Sequence, residues 1–316
     1  MKPCLFIQTN HKQIVGAIVA EYAARRFSAT PEAFDVKIMH HRDHPFLLRR
    51  EGQKYLREGD WRTWRNDDLQ SFTPTRFLPP SLMNFEGRSV VIDPDIFFVA
   101  DIMELFGRDM GGKAILARKR SGWKGEQGMW ASSVMLLDNA RLRHWDVPKM
   151  FDELFEGKRD YAQWITLMDE DQSLIGKLED EWNDFDRLTP HTKALHTTRR
   201  RTQPWKTGLP ADFVPNDRLF GLKITKPIMM LRRKLFGDYA FLGRYKQHPD
   251  INQQHLFFAL LREAMQEGML SEDMLREQMA ANHVRHDAFE VLQQTPPLDE
   301  VMDIVRQQAA PQQAAA

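Results

Sequence analysis

A short run of β-prone residues that stops on two carboxylates limits most strongly what this chain can become. Ser89-Val90-Val91-Ile92 follows a turn at Gly87 and is apolar enough to be buried on both faces of a sheet. It ends at Asp93-Pro94-Asp95, and Ile96-Phe97-Phe98-Val99 resumes the apolar pattern at once. Two carboxylates two residues apart at the end of a buried strand are costly unless water or cations compensate them. A hard divalent ion satisfies both and could in turn hold a diphosphate. The plain alternative is a turn in which Asp93 caps the backbone and Asp95 faces water.

Strand and helix patterns alternate around this feature. Residues 4–8 (CLFIQ) form a short apolar run that ends in polar Thr9-Asn10-His11. Residues 14–27 read as a helix, with Ile14, Val15, Ile18, Val19, Tyr22 and Ala23 on one face and Arg25-Arg26 at its basic end. Residues 34–39, 113–117 and 133–137 complete the strands. The alternation predicts an α/β layered domain with a mixed or parallel sheet. Ligands of such folds gather beyond the carboxyl ends of the strands, where the Asp93–Asp95 pair lies.

A second regime begins near Leu209-Pro210: residues 216–241 are basic and apolar, and 252–294 are helical in pattern. The tail from Gln307 is low in complexity and reads as a fraying end. These shifts divide the chain into a domain at 1–212, a helical region at 213–306 and a disordered tail at 307–316. Lys plus Arg (44) equals Asp plus Glu (44), so the average charge points away from a nucleic-acid partner. Cys4 is the single cysteine, which excludes an intramolecular disulfide and a Cys-based zinc site and fits a cytoplasmic setting. No stretch of about 18 apolar residues spans a bilayer, and the N-terminus lacks a secretory pattern.

Several motifs, in order from about residue 3 to 208, resemble the glycosyltransferases of family 8, the glycogenin and bacterial galactosyltransferase-like group. Phe6-Ile7-Gln8-Thr9-Asn10 looks like that family's nucleotide-binding strand, and residues 73–79 (TPTRFLP) look like its approach to the metal strand. Residues 89–102 (SVVIDPDIFFVADI) are similar to its D-x-D strand, and 130–138 (WASSVMLLD) to its F-N-S-G-V strand. Asp171-Gln172-Ser173 resembles its D-Q-D, and His196-Thr197-Thr198 with Gln203-Pro204-Trp205 its closing H-x-T-G and K-P-W.

The resemblance implies a GT-A fold, a Rossmann-like mixed sheet, and a retaining transfer of a hexose from a nucleotide sugar, a UDP-sugar foremost, to a saccharide or glycoconjugate. Carried over by position, Asp93, Asp95 and His196 hold Mn²⁺ (or Mg²⁺), which bridges the donor phosphates. Gln8, Thr9 and Asn10 contact base and ribose, Arg76 the donor side of the cleft, and Ser132 and Ser133 the donor sugar and diphosphate. Asp171 and Gln172 lie at the sugar. A neutral Gln172 is a poor nucleophile, so a front-face route, in which a diphosphate oxygen takes the acceptor proton, is the expected one. The chain departs from the family at Ala131, Ser133, Ser173, Arg199 and Gln203. Arg199, Arg200, Arg201 or Lys206 would then replace the family's diphosphate-binding lysine, since a guanidinium forks onto phosphate. The same departures keep a second reading open, a catalytically inactive GT-A-fold scaffold acting at a membrane surface or on a protein partner. A phosphoryl-transfer reading is weaker, because the chain has no phosphate-cradling glycine loop.

Other features read more plainly. His40 and His41 are adjacent on a strand and point to opposite faces, so a surface loop is expected there instead of a shared ion. Trp61 and Trp64 stand three residues apart on a possible helix and pack on the domain, or else stack on an acceptor sugar. Glu126 and Trp130 flank a glycine-containing loop on the acceptor side. The stretch 223–236 (KITKPIMMLRRKLF), from Lys223 through Phe236, carries five basic residues and no acid. It forms either a basic amphipathic helix on the inner face of an anionic membrane or a helix packed on the domain with a solvated basic face. The Met-rich helices of 252–294 fit a core or a partner surface.

Overall fold

The computed structural model describes residues 1–120, 129–213, 231–232, 235 and 243–308. Glu126, residues 309–316 and most of the basic 223–236 stretch lie outside the described residues. The chain forms two compact units, Met1–Arg187 with His191–His196, and Leu188–Pro190 with Thr197–Ala316.

The first unit is built on a six-stranded mixed sheet of order β2-β1-β5-β8-β7-β9. Its strands are β1 (Cys4–Thr9), β2 (Asp35–His40), β5 (Arg88–Ile92), β7 (Ile115–Lys119), β8 (Trp130–Asp138) and β9 (Ile175–Leu178). Strand β1 is parallel to both β2 and β5, whereas β8 runs antiparallel to β5 and β7. The expected mixed α/β architecture is thus observed. Central β1, β5 and β8 are buried along nearly their full length, which is why they read as continuous apolar runs. Helix α1 (Ile14–Arg26) crosses from β1 to β2, as its 3.6-residue pattern predicts.

Two smaller sheets complete this unit. A hairpin joins β3 (Lys54–Arg57) and β4 (Asp60–Thr63), and a three-stranded sheet orders β10 (Asp184–Phe185), β11 (Ala194–His196) and β6 (Ile96–Phe98). The hairpin corrects the helix expected at Trp61 and Trp64. Glu58 and Gly59 both adopt positive φ, the backbone of a tight two-residue hairpin turn. The pleat then separates the two indoles: Trp64 is buried against Tyr55 and Phe151, and Trp61 is half exposed. His41 likewise corrects the surface loop expected after β2, because a 3-10 turn at His41–Asp43 folds its ring inward and buries it.

The short helices α2 (Pro45–Leu48), α3 (Pro79–Leu82) and α4 (Ile102–Phe106) follow polar or proline-marked starts. Helices α5 (Val147–Phe155) and α6 (Tyr161–Ile165) open on the carboxylate caps Asp146 and Asp160 and cover the core with Phe151, Leu154, Tyr161 and Trp164. Phe77 stacks on Trp164 at 4.8 Å and meets Trp145 edge-on at 5.0 Å. On α5, Asp152 accepts hydrogen bonds from Arg49 and from Arg50, the latter at 2.8 Å and 3.1 Å. Burial works against the charge of Asp152, but the two guanidiniums outweigh it and hold the carboxyl below its ordinary value. This stabilisation is therefore complete above the unfolded pKa, about 3.9, and is lost as pH falls through the lowered native value. Asp152→Asn should lower stability by about 1 kcal/mol at pH 7, and the gap between variant and parent should close in the acid limb of a urea-melt pH series.

Gly176 on β9 stands directly opposite Leu116 on β7. A Cβ there would meet Leu116 Cδ2 at 2.5 Å and Lys113 Cγ at 3.0 Å, so the leucine lies across the space that a side chain would need. Gly176→Ala should cost about 1–3 kcal/mol, read as a shift in urea midpoint, and Leu116→Ala in the same chain should relieve the clash.

The second unit is helical among its described residues, apart from one bridge between Pro210 and Arg244. Helices α7 (Ile251–Gln266), α8 (Glu272–Ala280), α9 (Ala288–Gln294) and α10 (Leu298–Gln307) pack around Leu256, Phe257, Leu260, Leu261, Leu275, Val301 and Val305. No helix among the described residues is long and apolar enough to cross a membrane.

Candidate functional site

The Asp93-Pro94-Asp95 break is the point at which the chain leaves one sheet for another. Strand β5 ends at Ile92 in the main sheet and β6 begins at Ile96 in the small one. The two acids therefore occupy the corner between sheets. Strand β11 pairs antiparallel with β6, and the register sets His196 opposite Ile96, one residue past Asp95. A pairing of three residues on each strand thus carries an imidazole from a hundred positions downstream to the carboxylates. One ligand atom from each of Asp93, Asp95 and His196 lies within 4.8 Å of the others, the only such trio of His, Cys, Asp or Glu among the described residues.

Each member has its own support. The Asp93 carboxylate accepts both short bonds from Arg76 Nη2, at 2.6 Å and 2.9 Å, and a further bond from the Gln8 side-chain amide. Arg76 Nη1 donates to Ser132 Oγ at 2.6 Å, and the Ser132 hydroxyl donates to the Ile165 carbonyl. Arg76 Nε is buried without a partner. The His196 Nε2 atom stands 3.5 Å from Asp95 Oδ1, and Nδ1 stands 2.8 Å from Asn183 Oδ1. Asn183 Nδ2 donates to Ser133 Oγ at 3.0 Å. Burial pushes the Asp93 carboxyl upward against the pull of Arg76. Burial also works to lower the His196 pKa, but Asp95 and then Asp93 outweigh it and raise it.

Strand β8 supplies both serines because it leaves its ladder with β7 at this level. Ala117 pairs with Met135 but Arg118 pairs with Ala131, so Ser132, Ser133 and Val134 have no partner on β7. On its other edge β8 stays in register with β5, and the Asp93 amide donates to the Ser133 carbonyl at 3.2 Å. A bulge of this kind re-aims side chains beside a site. Here it sends one serine to Arg76 and the next to Asn183.

The other predicted residues divide into several environments. Gln8, Thr9 and Asn10 are fully buried at the carboxyl end of β1. Gln8 is turned to Asp93, and Asn10 is tied to the Asp68 carbonyl at 3.0 Å and to Ser71 Oγ at 3.3 Å. Gln172 uses both ends of its amide: Oε1 accepts from the Trp130 indole at 2.9 Å, and Nε2 donates to the carbonyls of Leu167 and Glu170. Asp171 is exposed and caps a 3-10 turn, where the Ser173 hydroxyl and amide hold its carboxyl below the ordinary value. In the second unit, Lys206 is wholly buried and pairs with Asp212 at 2.9 Å beside the Tyr245 ring, and Arg201 belongs to a 3-10 turn at Arg200–Thr202. Sequence reasoning missed Asn183 altogether. It lies in a stretch, 180–185, with no strand or helix period long enough to mark its side chain as inward-facing.

The trio fits a divalent ion. Bonds of about 2.0–2.2 Å place adjacent donors about 3 Å apart and opposed donors about 4.3 Å apart, so a spread of 4.8 Å needs only a small contraction. Two carboxylates and one imidazole make a mixed oxygen and nitrogen donor set of a kind that divalent ions accept. With Arg76 counted, two carboxylates and one guanidinium leave a net charge of −1 when His196 is neutral, which a divalent cation turns to +1.

No protein-family profile and no curated protein matches the chain in sequence. Several solved structures are similar to it in backbone. The glycosyltransferase GlyE of Streptococcus pneumoniae TIGR4 is similar over 85% of this chain and 64% of its own, at 14% identity and a TM-score of 0.46. Galactosyltransferase LgtC, solved with donor and acceptor sugar analogs, is similar over 64% of this chain and 89% of its own, at 11% identity and a TM-score of 0.45. Mouse xyloside xylosyltransferase 1 is similar over 63% and 98%, at 15% identity and a TM-score of 0.42. The chain thus spans about two thirds of the length of GlyE.

Proposed function

We propose that this protein is a metal-dependent glycosyltransferase of the GT-A kind that moves a hexose from a nucleotide sugar, a UDP-sugar foremost, to a saccharide or glycoconjugate acceptor. The convergence of Asp93, Asp95 and His196 at the corner between two sheets carries the reading. A structural turn would need neither the imidazole delivered by β11 nor a buried guanidinium beneath the first acid.

Asp93, Asp95 and His196 would hold Mn²⁺ or Mg²⁺, which when bound neutralises the charge that builds on a departing nucleoside diphosphate. The chain's own residues prepare that place. Arg76 compensates the buried Asp93 and pins its two oxygens, while Gln8 holds the same carboxylate from β1. Gln172 is oriented by three hydrogen bonds, including one from Trp130 on the strand that also carries Ser132 and Ser133. An amide so engaged is suited to stabilise positive charge at a sugar carbon through its carbonyl dipole, and poorly suited to attack it. Retention through a front-face route follows, with the donor diphosphate taking the acceptor proton.

Incubation with UDP-galactose or UDP-glucose and a panel of saccharides should release UDP in Mn²⁺ and not in EDTA, and NMR of the product should show the donor's anomeric configuration. Inversion would overturn the front-face route. Absence of nucleoside diphosphate release with every common UDP- and GDP-sugar would overturn the enzyme reading.

A further inference from the structure

We infer that Leu167 is a positioning residue: its left-handed backbone aims its carbonyl at the side-chain amide of Gln172 and so fixes the group proposed to face the sugar carbon. The catalytic consequence rests on the transferase reading above, whereas the geometry stands without it. Helix α6 ends in a closed turn, in which the Leu167 amide donates to the Trp164 carbonyl at 3.0 Å and the Met168 amide to the Gln163 carbonyl at 2.9 Å. That pair of bonds closes a helix on one left-handed residue, and the place ordinarily belongs to glycine. Here it holds a leucine at a φ of 57°. A side chain is strained in that conformation, and this one is held by burial, since Leu167 is fully enclosed in the core. Strain that packed surroundings enforce gathers at functional sites.

What the strain delivers is the direction of a carbonyl. Three consecutive carbonyls of this turn serve the site: Ile165 accepts from the Ser132 hydroxyl, Thr166 from the Trp130 amide at 3.0 Å, and Leu167 from Gln172 Nε2 at 2.7 Å. The first two tie the turn to β8, the strand that reaches Arg76 through Ser132. The third takes up Gln172. A right-handed Leu167 would continue the helix and point its carbonyl along the axis toward the next turn. The loop between the two residues is pinned as well. Asp169 accepts from Arg159 at 2.7 Å and Glu170 from the Trp145 indole at 2.8 Å, and the Glu170 carbonyl is the second acceptor for Gln172 Nε2, at 3.0 Å. The direction of the Gln172 amide follows from partners with a single role each. Carbonyls only accept and an indole N–H only donates, so Nε2 belongs to Leu167 and Glu170 and Oε1 to Trp130 at 2.9 Å.

The test compares side chains of one size that differ in their tolerance of the left-handed turn. Leu167→Ile keeps the volume but puts a β-branch where positive φ is an outlier, and Leu167→Met keeps the volume without the branch. With UDP-glucose and UDP-galactose as donors, Leu167→Ile should lower kcat about 10- to 100-fold at unchanged donor KM, and Leu167→Met should stay within about twofold of the parent. UDP, which carries no sugar, should bind both variants in Mn²⁺ as tightly as it binds the parent. In protein labelled with ¹⁵N-glutamine, the Gln172 Nε2 hydrogens should exchange slowly in the parent and in Leu167→Met, and fast in Leu167→Ile. Parental kcat or parental exchange in Leu167→Ile overturns the inference. So does a loss of UDP affinity that matches the loss in kcat, which would mark a general disturbance of the fold. If Leu167→Ile does not fold, a smaller pair decides. Leu167→Gly and Leu167→Ala lose the same packing, but only glycine adopts the turn freely, so Leu167→Gly should keep more turnover and slower exchange. Equal values for that pair overturn the inference. A parent protein that turns over no donor but shows the expected exchange pattern overturns the transferase reading and leaves the role of Leu167 intact.

Discussion

Asp93→Asn and Asp95→Asn should each abolish metal-dependent nucleotide binding, with a loss of at least 100-fold in affinity for UDP in Mn²⁺. The magnitude follows from removing a charged oxygen ligand from a three-residue set, where each carboxylate supplies both a bond and half of the neutralising charge. The two variants should differ in stability. Asp95 faces His196 at 3.5 Å, so its amide keeps the size and loses that ion pair. Asp93 lies over Arg76, and its amide leaves a guanidinium that is 8% exposed with no opposing charge. Calorimetric titration with UDP reads the first effect and urea unfolding the second. Full UDP affinity in Mn²⁺ for either variant would show that the acids are a turn and no more.

Arg76→Ala should be among the most destabilising single changes in the first unit, by about 3–5 kcal/mol. It removes the two bonds to Asp93 and the one to Ser132, and leaves a carboxylate buried with only Gln8 as donor. Breaking a buried pair costs more than replacing it, so the double variant Arg76→Met with Asp93→Leu should recover most of the loss while remaining unable to bind metal. Urea unfolding of Arg76→Met, Asp93→Leu and the double completes the cycle. A cost below about 1 kcal/mol for Arg76→Ala would mean that the pair is solvated, as an exposed bridge is. Metal binding by the Arg76→Ala protein, measured under conditions where it is folded, separates Arg76's structural part from its part in the site.

The D-P-D corner, the strand before it and the helix after β1 were legible because each has a local cause: a continuous apolar run, a proline-marked stop, a 3.6-residue stripe. The same local logic failed at Trp61 and Trp64. A spacing of three residues fits a helix turn, yet the Glu58-Gly59 turn, with both residues at positive φ, makes a hairpin and places one indole inside and the other out. The small sheet was only partly readable, since β10 and β11 are too short to show a period and their pairing with β6 is non-local. His196 was assigned by motif resemblance, whereas the register that sets it opposite Ile96 is a property of the fold. Asn183 could not be found at all, because its importance lies in one hydrogen bond to a residue thirteen positions away. The strand that carries Ser132 and Ser133 was readable from its apolar run. The bulge that turns one to Arg76 and the other to Asn183 depends on how β7 pairs, which neither strand's own sequence records.

Asp93, Asp95 and His196 are proposed to form a metal site that holds a nucleoside diphosphate. Calorimetric titration of the intact protein with UDP and GDP, each in Mn²⁺ and in EDTA, tests it most directly. Binding of one nucleotide in Mn²⁺, tighter with one sugar conjugate, and its loss in EDTA are expected. Equal binding with and without metal, or no binding of any nucleotide, would contradict it.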